Sequence, residues 1–295
     1  MAVVQTGGMR KASQAVHLSQ PAVSKAMKEL ENALGLQLFE RSRRGVEPTV
    51  FGKALAQRAK IVLDEMHGAL RELDHLADPQ RGEVKFGCTE TLQAGLAAAA
   101  THQVLLQHPG TRFVMESGQA PDLVQHFLLE RAVDFVLARP FSLPLPEGIA
   151  GEPLFCDHLQ VVVGAASPFA KRRRIDLEEL ADEHWILSRN ELMQESPMAE
   201  AFSLAGVGMP RRIVVSGSLN ARYGLLRTGR FVTLMPNSLV RFGHHPTTVR
   251  ILPIATPPWR IPNMILTLRG RAPSPAAQRF LVTLRELSAP LGSGS

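Results

Sequence analysis

The chain has 295 residues, of which 45% are hydrophobic and 20% charged, so it is long enough for two or three modules with a sizeable core. No apolar run approaches the ~18 residues that a membrane-spanning helix needs, and the N-terminus lacks the basic-then-apolar layout of a signal peptide. Its two cysteines exclude a disulfide scaffold. We therefore expect a soluble, cytoplasmic protein with no membrane partner.

The net charge of +6 is concentrated in the first fifth of the chain. Residues 1–60 hold ten lysines and arginines but only four acidic residues, whereas the remainder is neutral, with 23 of each kind. A module that binds nucleic acid requires this segregation of positive charge.

Residues 9–49 predict a helix-turn-helix followed by a basic β-hairpin, or wing. The first helix covers about Met9 to His17, and the second follows Ser19, whose hydroxyl can cap it. The side chains expected in the major groove of DNA are Ser19, Gln20, Pro21, Ser24, Lys25 and Lys28. The wing arginines expected on the phosphate backbone or in the minor groove are Arg41, Arg43 and Arg44. The alternative is a three-helix surface module with a solvated basic face.

Several motifs in this stretch together resemble the LysR-type transcriptional regulators. They are Ser19-Gln20-Pro21-Ala22-Val23-Ser24, Leu30-Glu31, Leu34-Gly35, Leu38-Phe39-Glu40-Arg41, Arg44-Gly45 and Pro48-Thr49. The resemblance implies a bacterial activator or repressor that is not an enzyme and needs no cofactor. It also implies four partners: promoter DNA with an interrupted palindrome, a small-molecule effector, a second copy in a dimer or tetramer, and RNA polymerase. The expected location is the cytoplasm, in association with the nucleoid.

The first eight residues resemble only the last part of the family's first helix, which normally begins further upstream. We expect this form to hold its DNA-binding domain (1–49) less stably, because that helix packs under the helix-turn-helix. The alternative function is a cytosolic small-molecule-binding protein whose DNA-binding module is impaired.

Residues 50–78 predict a long linker helix that pairs two copies of the chain. Apolar residues recur there in alternating steps of four and three, which is the spacing of a heptad seam. The seam consists of Leu55, Ala59, Val62, Met66, Ala69, Leu73 and Leu76. A helix packed on its own domain is the alternative. A helix-turn-helix that reads two half-sites needs a symmetric partner, which favours the dimer.

From residue 83 strands and helices alternate, which predicts an α/β domain with parallel strands. Two similar halves joined by two crossings indicate a hinged pair with a cleft between them. The resemblance to the LysR family implies that these are two Rossmann-like subdomains, similar to those of type 2 periplasmic-binding proteins. Subdomain I is expected at about 83–156 and 253–295, and subdomain II at about 157–252. Together with the winged helix-turn-helix and linker helix, this is the expected fold class.

Sheets of this kind bind ligands at the carboxyl ends of their strands. The expected effector contacts are Cys88, Thr89, Glu90, Thr91, Ser117, Gln119, Ser188, Arg189, Thr228, Gly229 and Phe231. A helix that starts after Cys88 favours an anion, and Arg189 suits a carboxylate, so we expect an organic acid. Glu90 would oppose such a ligand unless it points outward. Polar loops without a ligand are the alternative.

Other chemistry finds no support in the sequence. Cys88 and Cys156 lie on or beside apolar strands and form no CxxC motif, which disfavours a redox pair. The histidines lack metal-ligand spacing, so no metal site is expected, and neither a nucleophile elbow nor a phosphate-binding glycine loop occurs. Residues 171–174 are basic, but three acids follow at once, which favours a solvated loop over a second DNA contact.

Overall fold

The computed structural model describes residues 1–42, 45–139, 144–193, 196–243, 248–254 and 260–292. The chain divides into two compact units, Met1–Leu73 and Asp74–Ser295.

The first unit is a small helical module with a hairpin. Its elements are α1 (Ala2–Thr6), α2 (Met9–Ala15), α3 (Gln20–Leu34), β1 (Phe39–Ser42), β2 (Gly45–Pro48) and most of α4 (Val50–Ala77). Its core is small, with Val3, Ala12 and Val23 buried in contact with one another. The predicted cap is confirmed, since the Ser19 hydroxyl accepts a hydrogen bond from the N–H of Ala22 at 3.3 Å.

The predicted apolar stripe of α3 is only partly buried. Val23 is 8% exposed, whereas Leu30 is 41% exposed. The five-residue α1 contributes a single buried side chain, Val3, so it covers α3 only near Val23. Met27 is partly buried against this core, whereas Ala22, Ala26 and Leu30 are exposed.

Hydrogen bonds fix the hairpin against the helices on either side of it. The Glu31 carboxylate accepts from the N–H groups of Leu38 at 2.8 Å and Phe39 at 3.1 Å, which ties the end of α3 to the start of β1. The Thr49 hydroxyl accepts from the N–H of Gly52 at 3.1 Å and thereby caps α4. Gly52 lies so close to Leu38 that a Cβ atom added there would stand 2.0 Å from the Leu38 carbonyl oxygen.

The second unit is built on a mixed β-sheet. Its strands are β3 (Arg81–Cys88), β4 (Gly110–Ser117), β5 (Phe135–Ala138), β6 (Ile149–Gly164), β7 (His184–Leu187), β8 (Arg212–Val215), β9 (Phe231–Pro236), β10 (Val249–Ile251) and β11 (Arg260–Leu268). Within the described residues these nine strands follow the order β4-β3-β5-β11-β6-β9-β7-β8, and β10 pairs with β6. Strands β3, β4 and β5 are parallel, as are β7, β8 and β9, while β6 and β11 run antiparallel to their neighbours.

Strand β6 belongs to both halves of this unit. Residues 149–158 pair with β11, and residues 159–163 pair with β9. We call the half that contains β3, β4, β5 and β11 lobe I, and the half that contains β7 to β10 lobe II. The two lobes therefore share one continuous strand.

Helices cover both lobes. They are α5 (Glu90–Leu92), α6 (Ala98–Gln107), α7 (Ala120–Leu123), α8 (Pro197–Leu204), α9 (Leu219–Leu226), α10 (Asn237–Phe242) and α11 (Pro275–Gly292). Two π-helical turns, Gln93–Ala97 and Val124–Leu128, continue α5 and α7, and 3-10 turns cover Pro168–Lys171, Leu177–Leu180 and Asn190–Leu192.

Each lobe has its own aromatic core. In lobe I the rings of Phe86 and Phe135 stack with centroids 5.4 Å apart, and Phe280 of α11 packs on both. In lobe II the rings of Trp185 and Phe202 meet edge to face at 5.5 Å. The predicted fold class is confirmed: a winged helix-turn-helix with a long helix, followed by a two-lobed α/β domain.

Sequence analysis missed the first half of β6 as well as β10 and α10. Strand β6 begins at Ile149. Its early residues alternate irregularly between buried and exposed, because one antiparallel neighbour leaves part of the strand open to solvent. That pattern differs from the continuous apolar run of a buried strand.

Candidate functional site

One face of α3 is polar and exposed. Gln20, Ser24 and Lys28 stand four residues apart, so they share this face, and Pro21 and Lys25 flank them. Val23 points the other way, into the core. Lys25 forms only a loose pair with Glu29, at 3.8 Å between two exposed side chains. The face therefore combines amide, hydroxyl and ammonium groups, which can contact base edges and phosphates.

The wing is an antiparallel hairpin next to α3. Arg41 lies on β1, where its backbone pairs with Val46 of β2. Arg43 and Arg44, also predicted to contact DNA, lie outside the described residues.

The predicted seam of α4 forms an apolar stripe that the chain itself leaves open. Val62 is 59% exposed, Met66 60%, Leu73 61% and Leu76 73%. Ala69 is exposed as well, and Leu55 is half-buried. An exposed apolar stripe with heptad spacing is typical of a helix that pairs with another helix.

A cavity of about 700 Å³ lies between the lobes, at the carboxyl ends of the strands. Six of the predicted effector contacts line it: Thr89, Glu90, Thr91, Ser117, Gln119 and Ser188. Strands β3, β4 and β7 end directly before or at these residues, and this shared edge brings them together.

The other predicted contacts lie elsewhere. Cys88 is fully buried in lobe I, and this burial raises the pKa of its thiol. Arg189 is exposed and does not line the cavity. Thr228, Gly229 and Phe231 lie at the amino end of β9, where Gly229 turns with a φ of 75° against Ala166. The carboxyl end of β9, with Leu234, Met235 and Pro236, lines the cavity instead.

A buried ion pair forms part of the cavity wall in lobe II. Arg222 of α9 contacts Glu191 with 2.7 Å between nitrogen and oxygen, and the two side chains are 9% and 18% exposed. The guanidinium also donates to the Thr233 hydroxyl at 2.9 Å and the Leu234 carbonyl at 2.8 Å. Glu191 in turn accepts from the N–H of Ser188 at 2.5 Å. This network fixes the shape of the cavity wall around Ser188, one of the predicted effector contacts.

Asp157 is a second buried carboxylate of the cavity wall. It lies on β6 near the point where that strand passes from lobe I to lobe II, and it is 2% exposed. Its oxygens accept from the N–H of His158 at 2.8 Å, the N–H of Ser238 at 3.1 Å and the Ser238 hydroxyl. These donors stabilise its charge and tie α10 to the crossing strand.

Glu90 links the two lobes across the cavity. It starts α5 of lobe I, and both of its carboxylate oxygens lie 3.1 Å from the backbone nitrogen of Leu219, which starts α9 of lobe II. A carboxylate at a helix N-terminus is favoured by the helix dipole. Glu90 thus points into the cavity region rather than outward.

Sequence analysis missed Arg139, Asp157, Glu191 and Arg222. Arg139 directly follows β5, so the rule that found Ser117 and Ser188 applies to it equally. Arg222 comes from inside a helix and Asp157 from the middle of a strand, and neither position carries a local sequence signal.

The described part of the chain lacks two features. No helix there combines the length and apolar character needed to cross a bilayer. The same residues contain no group of three or more His, Cys, Asp or Glu side chains that could hold a metal ion. Arg172 of the basic loop pairs with Glu179 at 2.8 Å, in line with the solvated loop that we expected there.

A helix-turn-helix with a polar face, combined with a two-lobed domain that encloses a charged cavity, defines a DNA-binding protein controlled by a small ligand. Residues 1–53 match the family of bacterial regulatory helix-turn-helix proteins of the lysR type, and residues 77–289 match the LysR substrate binding domain. The second match alone spans more than half of the chain. The chain therefore belongs to the LysR family of transcriptional regulators.

Known regulators are similar along most of their length. The regulator GbpR of Azospirillum brasilense is 25% identical over 286 residues, which are 95% of this chain and 82% of the relative. The transcriptional dual regulator GltC of Bacillus subtilis is 26% identical over 259 residues, which are 88% of this chain and 85% of the relative.

Solved structures show the same fold. A cysteine-to-aspartate variant of full-length OxyR from Pseudomonas aeruginosa matches with a TM-score of 0.64 and 25% identity, covering 99% of this chain and 92% of that one. Full-length CbnR in complex with its target DNA matches with a TM-score of 0.56 and 22% identity, covering 97% and 96%.

Proposed function

We propose that this LysR-type regulator acts in the bacterial cytoplasm, at the nucleoid, as a dimer or a tetramer of paired dimers on an interrupted palindrome in promoter DNA. An organic acid in the cavity would change the spacing of the DNA-binding units and thereby their effect on RNA polymerase. In this role the protein catalyses no reaction, and its relatives are named as regulators.

The observation that carries this proposal is the exposed polar face of α3. We propose that it enters the major groove, with Ser19, Gln20, Pro21 and Ser24 near base edges and Lys25 and Lys28 near phosphates or guanine. Arg41, Arg43 and Arg44 are proposed to contact the backbone or the minor groove. The excess charge of residues 1–60 supports this placement, because phosphate contacts dominate the affinity for DNA.

The open seam of α4 supports self-association. Two half-sites require two DNA-binding units, and a stripe with heptad spacing can join two α4 helices. We propose Leu55, Val62, Met66, Ala69, Leu73 and Leu76 as the dimer contacts. In the cavity, we propose Thr89, Glu90, Thr91, Ser117, Gln119 and Ser188 as effector contacts, and we add Arg139.

The test is fluorescence anisotropy with DNA from upstream of the gene, compared with a scrambled duplex across a series of salt concentrations. Ser24→Ala is expected to change the preference between related sequences more than the overall affinity. Lys28→Ala should weaken binding to all duplexes alike and reduce the log–log salt slope by about 1. Lys171→Ala removes the same charge from a loop of the second unit and serves as the control.

The outcomes separate the possibilities. Selective binding with these two different variant profiles supports the placement of α3. If both variants bind like the Lys171→Ala control, the placement of α3 in the groove is wrong. If even the unaltered chain prefers no sequence and shows no salt dependence, the chain is a ligand-binding protein that does not act on DNA.

A further inference from the structure

The effector cavity contains five charged side chains, and three of them are already satisfied by the protein. They are Glu90, Arg139, Asp157, Glu191 and Arg222. Arg222 and Glu191 neutralise each other at 2.7 Å. Asp157 is 2% exposed and accepts hydrogen bonds from three donors. Only Arg139 and Glu90 therefore offer charge to a ligand.

Arg139 is a cation without a counter-ion in the described part of the chain. It follows the carboxyl end of β5 and lines the cavity. More than a third of Arg139 is exposed. The cavity walls nevertheless remove enough water to lower the pKa of its guanidinium, and the negative charges of Glu191 and Asp157 partly offset this by raising the pKa. A partly desolvated guanidinium gains most from an anion that accepts two parallel hydrogen bonds, and a carboxylate has this geometry.

Glu90 is the complementary anion. A carboxylate offers about four acceptor positions. The structure gives Glu90 one donor, the N–H of Leu219, whose nitrogen lies 3.1 Å from both carboxylate oxygens. Glu90 also lines the cavity, so its unused acceptor capacity and its negative charge are available to a ligand there. This charge belongs to lobe I, and the α9 helix start that it contacts belongs to lobe II.

We infer that the effector of this protein is a zwitterion of the α-amino acid type, whose carboxylate binds Arg139 and whose ammonium group binds Glu90. The inference rests on the proposed function, because it names the chemical class of the ligand in the same cavity. A neutral zwitterion complements the one positive and the one negative side chain of the walls that are neither paired with each other nor buried.

Ligands with a single kind of charge fit less well. A dicarboxylate would bring its second negative charge towards Glu90, and a simple amine would bring its positive charge towards Arg139, so each meets repulsion as well as attraction. The rest of the wall has apolar stretches, with Leu92, Leu159 and Met198 among them. These would accommodate an apolar side chain, and 700 Å³ is ample for a molecule of that size.

The experiment uses the full-length chain and sets of three ligands matched in shape. Each set contains an L-amino acid, the carboxylic acid that lacks its ammonium group and the amine that lacks its carboxylate. An example is methionine with 4-(methylthio)butanoate and 3-(methylthio)propylamine, and glutarate is added as the dicarboxylate. All twenty amino acids are screened by thermal shift, and responses are quantified by calorimetry for the unaltered chain and for Arg139→Gln, Glu90→Gln and Arg174→Gln.

An amino acid should raise the melting temperature while its two analogues bind at least about tenfold more weakly. Arg139→Gln should weaken the amino acid and the carboxylic acid by about tenfold or more. Glu90→Gln keeps an oxygen for the Leu219 N–H but loses the charge, so it should weaken the amino acid yet improve the carboxylic acid. Arg174→Gln changes an exposed loop and should leave both affinities unchanged.

The inference is overturned if a dicarboxylate or an amine is the best ligand, if no amino acid binds, or if Glu90→Gln changes the two affinities equally. The melting temperature without ligand, measured on the same variants, shows that the second unit is folded. If DNA binding is selective but responds only to a ligand of another class, the proposed function stands and this inference is wrong. Loss of selective DNA binding by the unaltered chain would count against the proposed function instead.

Discussion

Replacing Gly52 by alanine should damage the DNA-binding unit, whereas the same change at Gly68, further along the same helix, should stabilise it. The added Cβ at position 52 would stand 2.0 Å from the Leu38 carbonyl oxygen and 3.0 Å from its carbon. At position 68 the nearest atom is the flexible end of Arg71, 3.8 Å away. The two variants therefore share the chemistry of the change and differ in the space around it.

The magnitudes follow from these contacts. Both alanines gain about 1 kcal/mol from helix propensity. At position 52 the backbone must shift by about 1 Å, which costs about 1–3 kcal/mol for overpacking. It also strains the bond from the Thr49 N–H to the Leu38 carbonyl, at 3.0 Å, which contributes about 1 kcal/mol. We expect Gly52→Ala to lose about 1–3 kcal/mol and Gly68→Ala to gain up to about 1 kcal/mol.

Hydrogen–deuterium exchange measures this locally, because peptides that cover residues 36–56 report the opening of the hairpin and of the start of α4. Exchange in those peptides should accelerate in Gly52→Ala and slow or stay unchanged in Gly68→Ala. Peptides from the second unit serve as the internal reference. Equal protection in the two variants would refute the argument that Leu38 and Gly52 are in forced contact.

Three further outcomes are expected. Arg222→Leu should lower the free energy of unfolding in urea by about 3–5 kcal/mol, because it leaves Glu191 buried and unpaired. Arg285→Leu should lower it by less than about 1 kcal/mol, because its partner Glu152 is about half exposed. Similar losses for the two variants would contradict the role given to burial. The hydrogen bond from Arg285 holds the pKa of Glu152 below its ordinary value of 4.5. The unaltered chain should therefore be more stable to unfolding than Glu152→Gln at neutral pH, and this difference should disappear as the pH falls through the lowered pKa. A difference in stability that persists in acid would speak against this contact. Met66→Lys should separate the chains in sedimentation, whereas Glu72→Lys, off the seam, should not, and an unchanged mass for both would rule out the seam.

The strand-end rule predicted part of the cavity well, because it needs only the order of strands along the chain. Thr89, Ser117 and Ser188 each follow a strand of apolar residues that was recognisable in the sequence, and all three line the cavity. The rule was applied in the wrong direction at β9: Thr228 precedes that strand, so it lies at the opposite edge of the sheet.

The buried charges could not be predicted from local patterns. Arg222 meets Glu191 across 31 positions, and Glu90 meets Leu219 across 129. The first pair depends on how a helix and a turn of lobe II pack together, and the second depends on how the two lobes meet. Neither helix periodicity nor strand alternation encodes such packing. The exposed residues of α3 needed no such information, since a helix cap and a period of 3.6 residues determine which side chains share its face.

The shared strand β6 and the late strand β11 have a consequence for the order in which the protein matures during translation. The segments that pair within lobe II, from Leu159 to Ile251, are contiguous, so all of them have been synthesised before β11 exists. Lobe I lacks its inner strand β11 and the covering helix α11 until residues 260–292 are made. Lobe I, which begins first along the sequence, is thus completed second, and the apolar edge of β5 stays uncovered until β11 has left the ribosome.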